Sequence, residues 1–203
     1  NGSTTAVGYK ALNVQNAGAE SYNVAVGFEA GKLVSTGIQN TIVGAQAGDA
    51  LTTGTRNVAI GYAALGAEDA HGKNIAIGYQ ALTAQDAGTD ARNVAIGYEA
   101  GHDVSTGIKN VFVGNSAGEK VTEGDNNTFL GANAGDALTT GDNNIIIGYN
   151  AAAAAVDSDN SVTFGDANIS AIRCQVQTIS ALSDQRDKTD IKDSVYGLEY
   201  LES

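Results

Sequence analysis

The sequence predicts an all-β parallel β-roll, a β-solenoid of about ten 17–19-residue rungs that pairs with copies of itself, closed by a short C-terminal strand and helix. Three observations predict it. A glycine recurs at Gly8, Gly27, Gly44, Gly61, Gly78, Gly97, Gly114, Gly131, Gly148 and Gly165, with a period of 17 that is twice stretched to 19. A short β-forming segment precedes each of these glycines, and that segment is apolar on both faces. So short a fixed period belongs to architectures in which one repeat is one rung and no rung is stable alone.

Composition points the same way. With 26 glycines, no proline, no tryptophan and four phenylalanines in 203 residues, the chain is poorly equipped for one thick core, so stacking must supply the stability. A net charge of −12 disfavours nucleic-acid phosphates and anionic membranes as partners, because the long-range field repels both. A neutral or cationic polymer is the easier partner. No leader segment is visible, and the longest apolar run, Ala151 to Val156, is too short to cross a bilayer, so no membrane insertion is expected. The lone Cys174 excludes an intrachain disulfide and reads as a small buried side chain. Opening on Asn1 inside a repeat and stopping at Ser203 inside what reads as a new domain, the chain is expected to be part of something longer.

Aligned on the marker glycine, each rung position has its own chemistry. One residue before it stand Val7, Val26, Val43, Ile60, Ile77, Ile96, Val113, Leu130, Ile147 and Phe164, all bulky and apolar. Three before it every residue is β-branched, from Thr5 to Val162, as a strand against a narrow interior requires. Alternation puts these two columns on one face, expected to point inward. The column between them, Ala6, Ala25, Ile42, Ala59, Ala76, Ala95, Phe112, Phe129, Ile146 and Thr163, is then expected to point outward. Water should make it polar, yet nine of the ten are apolar. Burial on both faces calls for another copy of the chain, with Ile42, Phe112, Phe129 and Ile146 in the interface.

Four before the glycine, Asn23, Asn40, Asn57, Asn74, Asn93, Asn110, Asn127 and Asn144 form a column that reads as a structural ladder rather than a ligand site. Alanine lies three after it in nine of ten units, where backbones must approach closely. A second glycine falls ten after the first in seven of nine intervals, which predicts two turns and two strand-like sides per rung. Rungs come in two kinds: Gly31, Gly48, Gly101, Gly118 and Gly135 are followed three residues on by Val34, Leu51, Val104, Val121 and Leu138, whereas Leu12, Leu65 and Leu82 are followed by Gln15, Glu68 and Gln85. Each rung thus places one aliphatic group on its second side, at one of two positions, conserving volume. The two 19-residue intervals predict protruding loops around Ala17 to Ser21 and Gly88 to Ala91. Ten rungs spaced about 4.8 Å apart make a rod on the order of 45 to 50 Å long.

Beyond a roll domain over 1–168, residues 169–182 read as a closing strand or neck, with Ile172, Cys174 and Val176 alternating with polar residues. In 183–203, Ile191, Val195, Leu198 and Leu201 form an apolar stripe suited to a short helix that Asp190 could cap.

The cassette Asn-Val-Ala-Ile-Gly-Tyr-x-Ala, clearest at Asn57 to Ala64 and Asn93 to Ala100, resembles the β-roll repeats of trimeric autotransporter adhesin heads and the related repeats of phage tail fibres. That resemblance implies three parallel rolls about a three-fold axis, hence a homotrimer. Ser183-Asp184-Gln185-Arg186-Asp187-Lys188, followed by Ile191, is similar to the opening of the self-cleaving intramolecular chaperone domain of phage tailspikes and tail fibres. It implies Ser183 as nucleophile, Lys188 as its base and a single cut before Ser183, which is chemistry a desolvated lysine can support. On the residues alone, a polar turn before a helix remains the other reading. The function implied is a structural module of an extracellular, virion-borne tail fibre that attaches to a host receptor, glycan or protein. The alternative is a bacterial surface adhesin head binding a glycan or matrix protein. An ice-binding solenoid would need an exposed threonine array, and the β-branched column is expected to face inward.

No turnover enzyme, cofactor or metal is expected. His71 and His102 are solitary in variable turns, and Asp157 to Asn160 lacks the glycine-rich nonapeptide spacing of calcium-binding rolls. Tyr9, Tyr62, Tyr79, Tyr98 and Tyr149, one after the glycine, are expected to cover the turn below them rather than to stack on sugars.

Overall fold

The computed structural model describes residues 3–18 and 20–171. They form an all-β solenoid with no helix among the described residues. Ten strands of three residues each follow in chain order: β1 (Thr5–Val7), β2 (Val24–Val26), β3 (Thr41–Val43), β4 (Val58–Ile60), β5 (Ile75–Ile77), β6 (Val94–Ile96), β7 (Val111–Val113), β8 (Thr128–Leu130), β9 (Ile145–Ile147) and β10 (Val162–Phe164). Each pairs in parallel with its sequence neighbours, giving one ten-stranded sheet in the order β1 to β10. The pairing is in register column by column, so that Phe112 lies against Phe129 and Phe129 against Ile146. The roll is the compact unit Asn1–Ile169. The second unit, Ser170–Ser203, falls almost wholly outside the described residues, and with it the expected closing strand, the Ser183–Lys188 pair and the helix over 191–201.

The facing of the strands is the reverse of the sequence expectation. Ala25, Ile42, Ala59, Ala76, Ala95, Phe112, Phe129 and Ile146 are all completely buried within a single chain. The middle column is therefore the roll's own core, and Ile42, Phe112, Phe129 and Ile146 are not on an outer surface. The columns on either side of it face out. The physical reason lies two residues earlier. The asparagine column has the same parity as the middle column, and its amides bond along the rungs in the interior, which fixes the inward face.

The second side of each rung is not a strand. Residues two after the marker glycine, among them Lys10, Glu29, Gln80 and Glu99, have φ of 49–56°, and Leu12, Leu65 and Leu82, four after it, have φ of 48–54°. These left-handed residues curl the chain so that it turns within one rung while still bonding to the next, as in Leu65 N–H to Ala81 C=O at 2.9 Å and Gly48 N–H to Ala64 C=O at 2.9 Å. The alanines from Ala30 to Ala151, together with Val34, Leu51, Val104, Val121 and Leu138, line the interior from this side.

The two kinds of rung exchange volume across the core. Where the strand contributes Phe112 or Phe129, a Cβ at Gly118 or Gly135 would overlap the ring. Where it contributes Ala59 or Ala76, the corresponding place holds the buried Leu65 or Leu82. The extra residues of the 19-residue intervals bulge outward, since a Cβ added at Gly18 or Gly88 meets nothing within 4 Å.

Candidate functional site

Two ladders, a buried one of asparagines and a half-buried one of glycines, hold the sheet's outer face in place. In the asparagine ladder each Oδ1 accepts the backbone N–H of the next asparagine: Asn40 N–H to Asn23 at 2.8 Å, Asn57 to Asn40 at 2.9 Å, Asn110 to Asn93 at 2.8 Å and Asn127 to Asn110 at 2.8 Å. Except at Asn74, each Nδ2 donates across the rung to a carbonyl of the second turn, as from Asn40 to Gly54 at 2.8 Å and Asn110 to Gly124 at 2.7 Å. Ser161 ends the series by donating its N–H and hydroxyl to Asn144 Oδ1. In the glycine ladder the marker residues from Gly8 to Gly148 have φ between 128 and 144°, and from Gly8 to Gly131 an added Cβ would overlap the carbonyl oxygen of the next marker glycine. Only glycine meets both conditions.

So anchored, β1 to β10 present an outer face built from two columns. Apart from Thr5, Thr41 and Thr128, every residue of these columns is aliphatic or Phe164, and none is charged. Ile96, Leu130 and Ile145 are 38%, 47% and 41% exposed although each lies between neighbouring rungs. The stripe is two side chains wide and, over ten strands, on the order of 43 Å long. One margin carries Arg56, Lys73, Arg92 and Lys109 in successive rungs, of which Lys73 pairs with Asp90 and Arg56 donates to Gln39 Oε1 at 3.0 Å. That pairing holds the Asp90 carboxyl below its ordinary range.

The other margin carries the aromatic column. Tyr62, Tyr79 and Tyr98 stack with ring centroids 5.4 and 5.0 Å apart and planes within 18° and 6°, and Tyr9 stacks on Phe28 at 5.4 Å. Tyr62, Tyr79 and Tyr98 stay exposed and lie on one another along the stack. Rung spacing near 4.8 Å places successive rings at stacking distance.

No protein family, curated protein or solved structure matches this chain. Among the described residues no helix is long and apolar enough to cross a membrane.

Proposed function

We propose that this chain is a structural module of a homotrimeric extracellular fibre of the phage tail fibre or tailspike kind, in which three rolls pack outer face to outer face and display their turns to a host receptor, glycan or protein. The observation that carries it is the uncharged, apolar outer stripe on β1 to β10. An apolar surface of this extent, rimmed by polar residues, is what soluble proteins reserve for partners. The partner must meet a repeat of the same spacing over about 43 Å, and a copy of the same roll does so by construction. The number three comes from the resemblance of the cassette to trimeric fibre repeats.

The experiment is the solution mass. The expected species has three times the chain mass of 20.5 kDa. Replacing Ile60 and Ile96, both on the outer face, by aspartate should dissociate it, because six carboxylates would enter an apolar seam. A wild type that runs as a single chain, or a doubly substituted protein that stays trimeric, removes the reading.

Maturation belongs to the same proposal. In a chain extended at its C-terminus, a single cut before Ser183 is expected after assembly, absent in Ser183→Ala and in Lys188→Ala. Intact wild-type chains in a folded trimer would leave Ser183 and Lys188 in a polar turn.

A further inference from the structure

One rung, that of Gly61, departs from the repeat at three positions and the next rung at a fourth, and all four departures meet in one place. The seventh residue after the marker glycine is aliphatic or glutamine in most rungs, but here it is Glu68. The tenth is glycine in seven rungs, but here it is His71. The eighth is a hydroxyl residue in five rungs, Ser35, Thr52, Ser105, Thr122 and Thr139, each donating its hydroxyl to the carbonyl of the next rung. In the two consecutive rungs from Gly61 and Gly78 it is Asp69 and Asp86, so like charges are stacked one rung apart. Each of Glu68, Asp69, His71 and Asp86 has a ligand atom within 4.8 Å of the other three.

Glu68 is the observation that turns this cluster into a site. It is completely buried, and its Oε2 has no hydrogen-bond partner. Its Oε1 accepts the His71 backbone N–H at 2.9 Å, which aims the carboxylate. Burial, offset in part by that hydrogen bond, pushes the Glu68 carboxyl above its ordinary range. His71 Nδ1 is likewise buried without a hydrogen bond and lies 3.5 Å from Glu68 Oε1. Two ligands of one tetrahedral zinc, at bond lengths of about 2.1 Å, lie roughly 3.4 Å apart. The rung also lacks a bond its neighbours have, since Asn74 Nδ2 is buried and unpartnered just where the 19-residue interval begins.

We propose that Glu68, Asp69, His71 and Asp86 bind one divalent first-row transition-metal ion of the zinc class, which clamps the rung of Gly61 to the rung of Gly78. The donor set selects this class: an imidazole with carboxylates suits zinc, cobalt or nickel, whereas calcium and magnesium take oxygen ligands. Asp69 and Asp86 are exposed, which leaves the ion a path in from solvent. A divalent ion offsets two of the three carboxylate charges and gives the buried Glu68 a partner, which replaces the ladder bonds that this stretch forfeits. The site lies within one chain and stands whether or not the chains assemble.

The test uses the full chain stripped with chelator and then titrated with zinc chloride by calorimetry, with the thermal melt followed in parallel. One equivalent per chain should bind. Zinc at about a hundredfold excess over Kd should raise the melting temperature by about 5 °C or more. Glu68→Gln and His71→Gly should each weaken binding by roughly a hundredfold. Both are residues that the repeat itself uses at those positions, so the variants fold and their metal-free melts verify it. His102→Ala, which removes the exposed His102–Asp103 pair, should leave binding unchanged. Absence of zinc binding, or binding lost with His102 and kept in Glu68→Gln and His71→Gly, overturns the site.

Discussion

Gly97→Ala is expected to be among the most damaging single substitutions in the roll, costing about 4 kcal/mol or more. Gly97 has φ of 144°, a region that residues with a Cβ enter only at a cost of about 1–3 kcal/mol. The added methyl would also overlap the carbonyl of Gly114, which is backbone and cannot rotate away. Relief therefore means separating β6 from β7. That strains the rung-to-rung bonds on either side, Gly114 N–H to Ile96 C=O at 2.9 Å and Ser116 N–H to Tyr98 C=O at 2.8 Å. Each such bond contributes about 1 kcal/mol net.

A stack of rungs holds together through nearest-neighbour interfaces, so one bad interface divides it. Chemical denaturation of Gly97→Ala should accordingly show a broadened or two-step transition. Gly88→Ala is the control, because φ there is 65° and its Cβ meets nothing. Only the left-handed backbone term, about 1 kcal/mol, should appear. Equal losses in the two variants would show that the close approach of marker glycines does not limit stability.

The period made the architecture legible, because 17-residue spacing with one β-branched segment per unit admits little besides a stacked roll. The facing of the strand was harder to read, since hydrophobicity alone cannot orient three residues that are apolar on both sides. The deciding cue was nevertheless present. Asn110 and Phe112 differ by two positions and so share a face, and a stacked amide column keeps its bonds best away from water. The alanines of the middle column, Ala25, Ala59, Ala76 and Ala95, fit the same reading, being small because the interior is thin. The left-handed turns were not legible for another reason. Lys10, Glu29, Gln80 and Glu99 carry no propensity for positive φ, and the conformation is imposed by the rungs they bond to.

Site chemistry was legible only as departure from pattern. His71 taken alone is a solitary histidine in a variable turn. Set in its column it replaces a glycine, and its neighbours Glu68 and Asp69 replace an apolar or amide side chain and a hydroxyl in the same rung. The aromatic stack has a similar origin, because Tyr62, Tyr79 and Tyr98 touch only through the rung spacing, which links residues 17 and 19 apart.

The second large effect is expected in the asparagine ladder, at Asn110. Its Oδ1 accepts the Asn127 N–H at 2.8 Å, its Nδ2 donates to the Gly124 carbonyl at 2.7 Å, and its own N–H is held by Asn93 Oδ1. Asn110→Ala leaves a buried N–H and a buried C=O unpaired, each costing about 1–3 kcal/mol, so a loss of roughly 3–5 kcal/mol is expected. Asn110→Asp separates the two bonds by pH. A protonated carboxyl can still donate to Gly124 and accept from Asn127, whereas a carboxylate faces the Gly124 carbonyl oxygen with nothing to donate. Burial and that oxygen both raise the folded-state pKa above the unfolded value of about 3.9. The folded state then binds more protons than the unfolded one, so stability is full below the unfolded pKa and falls as pH rises through the raised one. Denaturation midpoints of Asn110→Asp should therefore approach wild type in acid and drop toward those of Asn110→Ala near neutrality. A variant that is equally stable across this range would mean that the amide hydrogen of Asn110 contributes nothing, and that the ladder is held by its acceptors alone.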